Sequence, residues 1–131
     1  MSEKFFLIAG SLLALFAVVL GAFAAHGLQQ VVSEKLIAIF RTGVDYQFYH
    51  SFALLITGIL IHLFSTSRLL KAAGIAFLIG IIIFSGSLYL YVFTGNKVFG
   101  MITPIGGLSF IIGWLLLTLS FFQLPILRKD Q

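Results

Sequence analysis

Arg41-Thr42-Gly43-Val44-Asp45-Tyr46-Gln47-Phe48-Tyr49-His50 leads directly into the run Ser51–Phe64, which contains no Asp, Glu, Lys or Arg. A cation, an acid, two tyrosines, a glutamine and a histidine thus stand at the head of a stretch long enough to enter a membrane. An acid in a first helical turn gains about 0.3–1 kcal/mol from the helix dipole. A pairing with Arg41 adds about 0.2–0.5 kcal/mol. At the bilayer centre the same acid costs about 2.5–3.5 kcal/mol even on the lenient scale. The gains fall short, so Asp45 is expected at the interface or facing a polar interior, not in lipid. Thr42-x-x-Asp45 resembles a capping box with Asp in place of Glu, which starts a helix near Gly43.

The rest of the chain supports a membrane reading. Of its 131 residues 60% are hydrophobic and 9% charged, with a mean hydropathy of +1.15. A soluble domain carries about 25% charged residues, so this chain cannot clothe a water-facing surface. It has no cysteine, which removes disulfides and thiolate ligation from consideration. Net charge is +4, but the Lys and Arg residues stand scattered at helix ends. They orient the chain in a bilayer and make no nucleic-acid surface.

Working outward, Phe5–Ala25 is an uncharged run of about 31 Å as a helix, enough for a hydrocarbon core of about 30 Å. Lys4, this run and Ala22-Phe23-Ala24 have the elements of a cleaved signal. The run is long for one, and the further spans favour a retained helix. Ala17, Gly21 and Ala25 form a small-residue stripe suited to close helix packing. Between the first two spans Val32, Leu36, Ile39, Phe40 and Gly43 share one side of a segment that is otherwise polar, the pattern of a helix lying in the interface. Gly27 and Gly43 are its expected hinges. After Phe64, Ser65-Thr66-Ser67-Arg68 is a polar turn, and Ala72, Ala76 and Gly80 repeat the small-residue spacing. Gly95-Asn96-Lys97 is a turn signal, and Thr103-Pro104 opens the last span with proline where a first turn tolerates it. The chain therefore reads as one transmembrane domain, 1–131. It is an all-α integral membrane protein with four transmembrane helices in an up-down bundle, at about 5–26, 44–64, 72–93 and 104–126, and a short amphipathic interfacial helix at about 29–41. Lys4, Arg68, Lys71, Arg128 and Lys129 on one side, against Lys35, Arg41 and Lys97, place both termini in the cytoplasm of a bacterial inner membrane.

Threaded up and down, the spans collect polar residues in the outer half. His26 ends the first; Arg41, Asp45, Tyr46, Gln47, Tyr49 and His50 begin the second. Ser85, Ser87 and Tyr89 finish the third, and Thr103 starts the fourth. The inner half has far less, mostly one residue per helix: Ser11, His62 and Ser120. Thr42, Tyr46 and His50 share a stripe, as do Asp45 and Tyr49.

Gly21-Ala22-Phe23-Ala24-Ala25-His26-Gly27-Leu28, Tyr46-Gln47-Phe48-Tyr49-His50, Phe84-Ser85-Gly86-Ser87-Leu88-Tyr89 and Thr103-Pro104-Ile105-Gly106-Gly107 resemble the YgdD/YwdK family of small four-helix bacterial membrane proteins. The likeness covers nearly the whole chain. It departs at Ala24, where the family pattern has Gly, a mild change at a close-packing site. The family is one of unknown function, so the resemblance implies architecture and location and assigns no catalytic residue.

For function, the working expectation is a structural, partner-binding or lipid/small-ligand-binding role centred on the outer polar cluster, with lipid and a homo-oligomer or membrane protein as partners. Interhelical hydrogen bonds of about 0.6 kcal/mol each would be the structural use of those side chains. The second reading is a small proton, ion or solute transporter, with His50 and Asp45 as a relay entrance. Against it, only His62 continues the path, about 18 Å further along the helix. His26 and His50, with Asp45, are the residues to weigh as metal ligands, but no local ligand spacing joins them and no metal or cofactor is expected. No nucleophile motif, phosphate loop or carboxylate pair points to an enzyme.

Overall fold

The computed structural model describes residues 1–64 and 68–123. The polar turn at Ser65-Thr66-Ser67, the end of the fourth span and the tail Arg128-Lys129-Asp130-Gln131 lie outside the described residues. α1 runs Glu3–His26 and stops where the Gly27 N–H turns back to the Phe23 carbonyl at 2.9 Å; a 3-10 turn, Leu28–Gln30, follows. α2 spans Glu34–Phe64. The third rod is built from α3 (Arg68–Gly80), a π turn (Ile81–Ser85) and α4 (Gly86–Thr94). Gly95 closes it at φ +67°, a left-handed conformation that only glycine takes without strain. Asn96 then caps α5 (Lys97–Phe121), its side-chain oxygen accepting from the Val98 N–H at 3.0 Å. The four rods Glu3–Gln30, Glu34–Phe64, Arg68–Thr94 and Lys97–Phe121 are each long and apolar enough to cross a membrane.

Two sequence expectations change here. The segment 29–41 is not a separate interfacial helix: after the 3-10 turn it joins the second span without a break, and Gly43 is no hinge. Phe40 explains why. It is fully buried, tilted against the Tyr89 ring at 4.8 Å and edge-on to Phe23 and Phe93. A helix lying flat in the headgroups would lose all three contacts. Thr42 accordingly bonds back to the Ala38 carbonyl at 3.0 Å as a mid-helix residue and caps nothing. The fourth helix, likewise, begins at Lys97, so Pro104 sits inside it. Having no N–H, Pro104 leaves the Gly100 carbonyl without its helical donor.

α1 packs on α2, α5 packs on the third rod, and α2 and the third rod pack on each other, so α1 and α5 form the flanks. Aromatic rings seat on glycines at these contacts. A Cβ at Gly74 would lie 2.6 Å from the Phe6 ring, one at Gly113 2.6 Å from Phe77, and one at Gly43 2.8 Å from Tyr89. The small-residue stripe of α1 is used internally: Ala17 is buried, and a Cβ at Gly21 would meet Val44 of α2 at 3.5 Å.

The apolar core divides in two. One cluster, around Phe6, Leu54, Phe77, Phe110 and Leu117, fills the Glu3 end of the bundle. The other, around Ala24, Leu28, Phe40 and Val92, fills the His26 end. The buried polar side chains Gln47, His50 and Ser51 lie on α2 between the two. The polar layer therefore sits deeper than the sequence places it, with an apolar cluster on each side. At the Glu3 end Thr57 and Ser120 bond to carbonyls of their own helices, at 2.7 and 2.6 Å, and offer nothing to a pathway.

Candidate functional site

Gln47 and His50 are buried polar residues of α2 whose side chains hydrogen-bond to other helices. Gln47, only 4% exposed, donates from Nε2 to the Leu13 carbonyl of α1 at 2.8 Å and accepts at Oε1 from the Tyr89 hydroxyl of α4 at 2.9 Å. One amide thus ties three rods. A side-chain amide suits the task because it carries a donor and an acceptor on one planar head. Ser51, one turn on, donates to the Gln47 carbonyl at 2.6 Å.

His50 is held on every side. Its ring stacks on Phe110 of α5, centroids 3.5 Å apart and planes within 10°. Trp114 donates its indole N–H to His50 Nε2 at 3.1 Å, and His50 Nδ1 lies 2.7 Å from the Tyr46 carbonyl oxygen. Indole is a donor only, so Nε2 must accept and the ring proton must sit on Nδ1. The pattern is that of a neutral imidazole with both nitrogens engaged. Two further polar links hold α5 to the third rod: the Ser87 and Thr103 hydroxyls meet at 2.7 Å, and Ser109 donates to the Ala76 carbonyl at 2.7 Å.

The remaining expected residues do not join this layer. His26 is exposed at the end of α1, so His26, His50 and Asp45 do not converge as a ligand set. Among the described residues no three His, Cys, Asp or Glu side chains do. Arg41 is exposed and, with the Gln29 amide oriented to receive it, donates to Gln29 at 3.0 Å. Asp45 is exposed on α2 beside Ala17, Val18, Val44 and Phe48. Ser85 is buried in the π turn, and its hydroxyl has no partner among the described residues. Tyr46 and Tyr49 are exposed, with their rings 6.1 Å apart.

Those two tyrosines border a groove of about 750 Å³ between α2 and α5. Tyr46, Tyr49 and His50 form one wall. Pro104, Gly107, Leu108, Ile111 and Trp114 form the other, over Phe84 and Phe110. Tyr46 stacks on Phe84 at 4.6 Å, which continues the aromatic surface from wall to floor. Gly107 leaves the space open, since a Cβ there would only touch the Phe84 ring at 3.7 Å. Tyr49, Leu108 and Ile111 are exposed at 56–66%, so the mouth opens on the surface that faces lipid. The sequence reading omits Trp114 and Phe110. Trp114 carried a usable signal: it is the chain's single tryptophan, set inside an apolar span where its N–H needs a partner.

Residues 20–107 match a family described as Protein of unknown function (DUF423). A UPF0382 membrane protein of Staphylococcus aureus is 48% identical over 120 residues, 92% of this chain and 97% of the relative. One from Staphylococcus haemolyticus is 42% identical over 120 residues, with the same coverage. The UPF0382 membrane protein YwdK of Bacillus subtilis is 40% identical over 117 residues, 89% of this chain and 95% of the relative. No solved structure matches the chain.

Proposed function

The chain belongs to the DUF423 family of membrane proteins, and from that premise we propose that it is a non-enzymatic binding protein whose α2–α5 groove takes the apolar part of a lipid-phase amphiphile. The observation that carries this reading is the groove itself: about 750 Å³, open to the bilayer, lined by six aromatic or imidazole rings and backed by the His50–Trp114 pair. Ligand sites of this size are characteristically apolar with a few placed polar groups. Flat aromatic walls favour an unsaturated or planar ligand portion over a flexible saturated chain. The Tyr46 and Tyr49 side chains bring their hydroxyls to the groove as its polar groups. The transport reading gains no support from this arrangement: His50 has both nitrogens occupied, and the Glu3 end is filled by Phe6, Leu54, Phe77 and Leu117. The same engagement of His50 argues against acid–base catalysis. We place the protein in a bacterial plasma membrane, with the end bearing Lys4, Arg68 and Lys71 in the cytoplasm.

The test is native mass spectrometry of gently extracted protein beside Gly107→Leu. Gly107 lines the groove, and a Cβ there meets only the Phe84 ring, at 3.7 Å. The wild type should retain a lipid-phase adduct, and Gly107→Leu should retain it about tenfold less, a difference of about 1.4 kcal/mol in binding, at an unchanged melting temperature. Equal occupancy in the two proteins, or a bare mass for both, would overturn the reading.

A further inference from the structure

Asp45 stands in the wrong solvent for an acid. It lies beside Ala17 and Val18 of α1. Val18 is seven residues short of Ala25, the end of the uncharged run, which puts the carboxylate about 10 Å inside the membrane at the helical rise. It is also exposed, and Ala17, Val18, Val44 and Phe48, which line the same small pocket, carry no side-chain donor. Because α2 begins at Glu34, Asp45 is three turns into the helix and not in the first turn that the sequence reading gave it. A carboxylate at this depth is costly unless something pairs with it.

The surrounding surface identifies what does. Ala38, Thr42, Asp45, Tyr49, Phe52, Ile56, Ile59 and Leu63 alternate in steps of four and three residues, and every one is exposed. That is an unbroken heptad seam along α2 with a single acid in it. Such a seam is what a second, parallel helix packs against, and a polar residue within it fixes register and subunit number. Arg41 flanks the seam one turn before Asp45 and is exposed. Its guanidinium has donors beyond the one given to Gln29. Two copies related by a twofold axis along the membrane normal would form the pairing twice, as a self-complementary interface requires.

We propose that α2 pairs in parallel with α2 of a second copy of this chain along the seam from Ala38 to Leu63, with Asp45 of each copy held by Arg41 of the other. The chain has no cysteine, so single cysteines report cleanly in native membranes. Under a mild oxidant Phe52→Cys and Ile56→Cys should give a covalent dimer, at least about tenfold more than Leu12→Cys on α1 or Leu115→Cys on α5, both exposed but off the seam. In the Ile56→Cys background, Asp45→Leu should cut the dimer by about tenfold, and exchanging the charges (Arg41→Asp with Asp45→Arg) should restore it. Because Asp45 is exposed, the variants should keep the melting temperature of the monomer, which separates lost pairing from lost folding. Cross-linking that is uniform over all four positions, absent from the seam, or indifferent to Asp45→Leu would overturn the proposal.

Discussion

Gly106→Ala should unfold well below the wild type on heating in detergent, although it adds only one methyl group inside a helix. In an open helical position the exchange would help, by about 1 kcal/mol of propensity. At Gly106 the new Cβ would stand 2.7 Å from the Phe84 Cα and 2.8 Å from its Cβ, and would also strike the Phe84 amide nitrogen. Those atoms belong to the π turn and cannot rotate aside as a side chain can. Overpacking costs about 1–3 kcal/mol in a core that can adjust, and this contact is with backbone, so a net loss of about 2 kcal/mol or more is expected. Gly86→Ala supplies the comparison: it lies in the third rod directly after the π turn, with nothing within 4 Å of the added Cβ. It should be as stable as the wild type or slightly more so. If Gly106→Ala melted with Gly86→Ala, the close approach of α5 to the π turn would be wrong.

That close approach is also where reading the sequence runs out. The four spans were legible because a bilayer leaves few options: every backbone group must be satisfied within the helix, so about 20 uncharged residues announce themselves. The chemistry of the site was partly legible too, since Gln47, His50, Tyr89, Ser87 and Thr103 are polar residues at span depth that require partners. Their partners were not. Gln47 bonds a main-chain carbonyl, Leu13, which no residue identity reveals. The π turn leaves no trace in Ile81-Ile82-Ile83-Phe84-Ser85, a string any helix would accept. It shows in the backbone, where the Gly86 N–H reaches back five residues to the Ile81 carbonyl. The join between the amphipathic segment and the second span was misplaced for a similar reason. Gly43 looks like a break in a linear string, but in the bundle it is the seat of the Tyr89 ring, so the absence of a side chain serves packing and not bending.

The position of Asp45 follows from that join. Amphipathic periodicity, read alone, assigned the segment at about 29–41 to the headgroups and put Asp45 in the first turn of the second span. Continuity of the helix puts the same acid three turns in. A single structural fact, the burial of Phe40 between α1 and α4, thus decides whether Asp45 is a first-turn residue of a membrane helix or an acid in need of a partner.

Gln47→Leu should destabilise the bundle by about 2–4 kcal/mol, and the second substitution Tyr89→Phe should give part of that loss back. Leucine removes two interhelical bonds, each worth about 0.6 kcal/mol on average and up to about 1.7 kcal/mol. It also leaves the Tyr89 hydroxyl, half-buried against Gly43 and Phe40, without its acceptor, at about 1–3 kcal/mol for a buried orphan. The Leu13 carbonyl suffers less, because it keeps its helical donor within α1. Tyr89→Phe alone strands Gln47 Oε1 and should cost about 1 kcal/mol. In the double variant neither orphan exists, and an apolar pair of similar shape occupies the site, an exchange that can approach neutrality. Its melting temperature should therefore lie above that of Gln47→Leu, so that the coupling between the two sites is about 1 kcal/mol or more in the direction of recovery. Two independent structural roles would instead make the losses add. Additive losses would mean that Gln47 and Tyr89 do not share the hydrogen bond that joins α2 to α4.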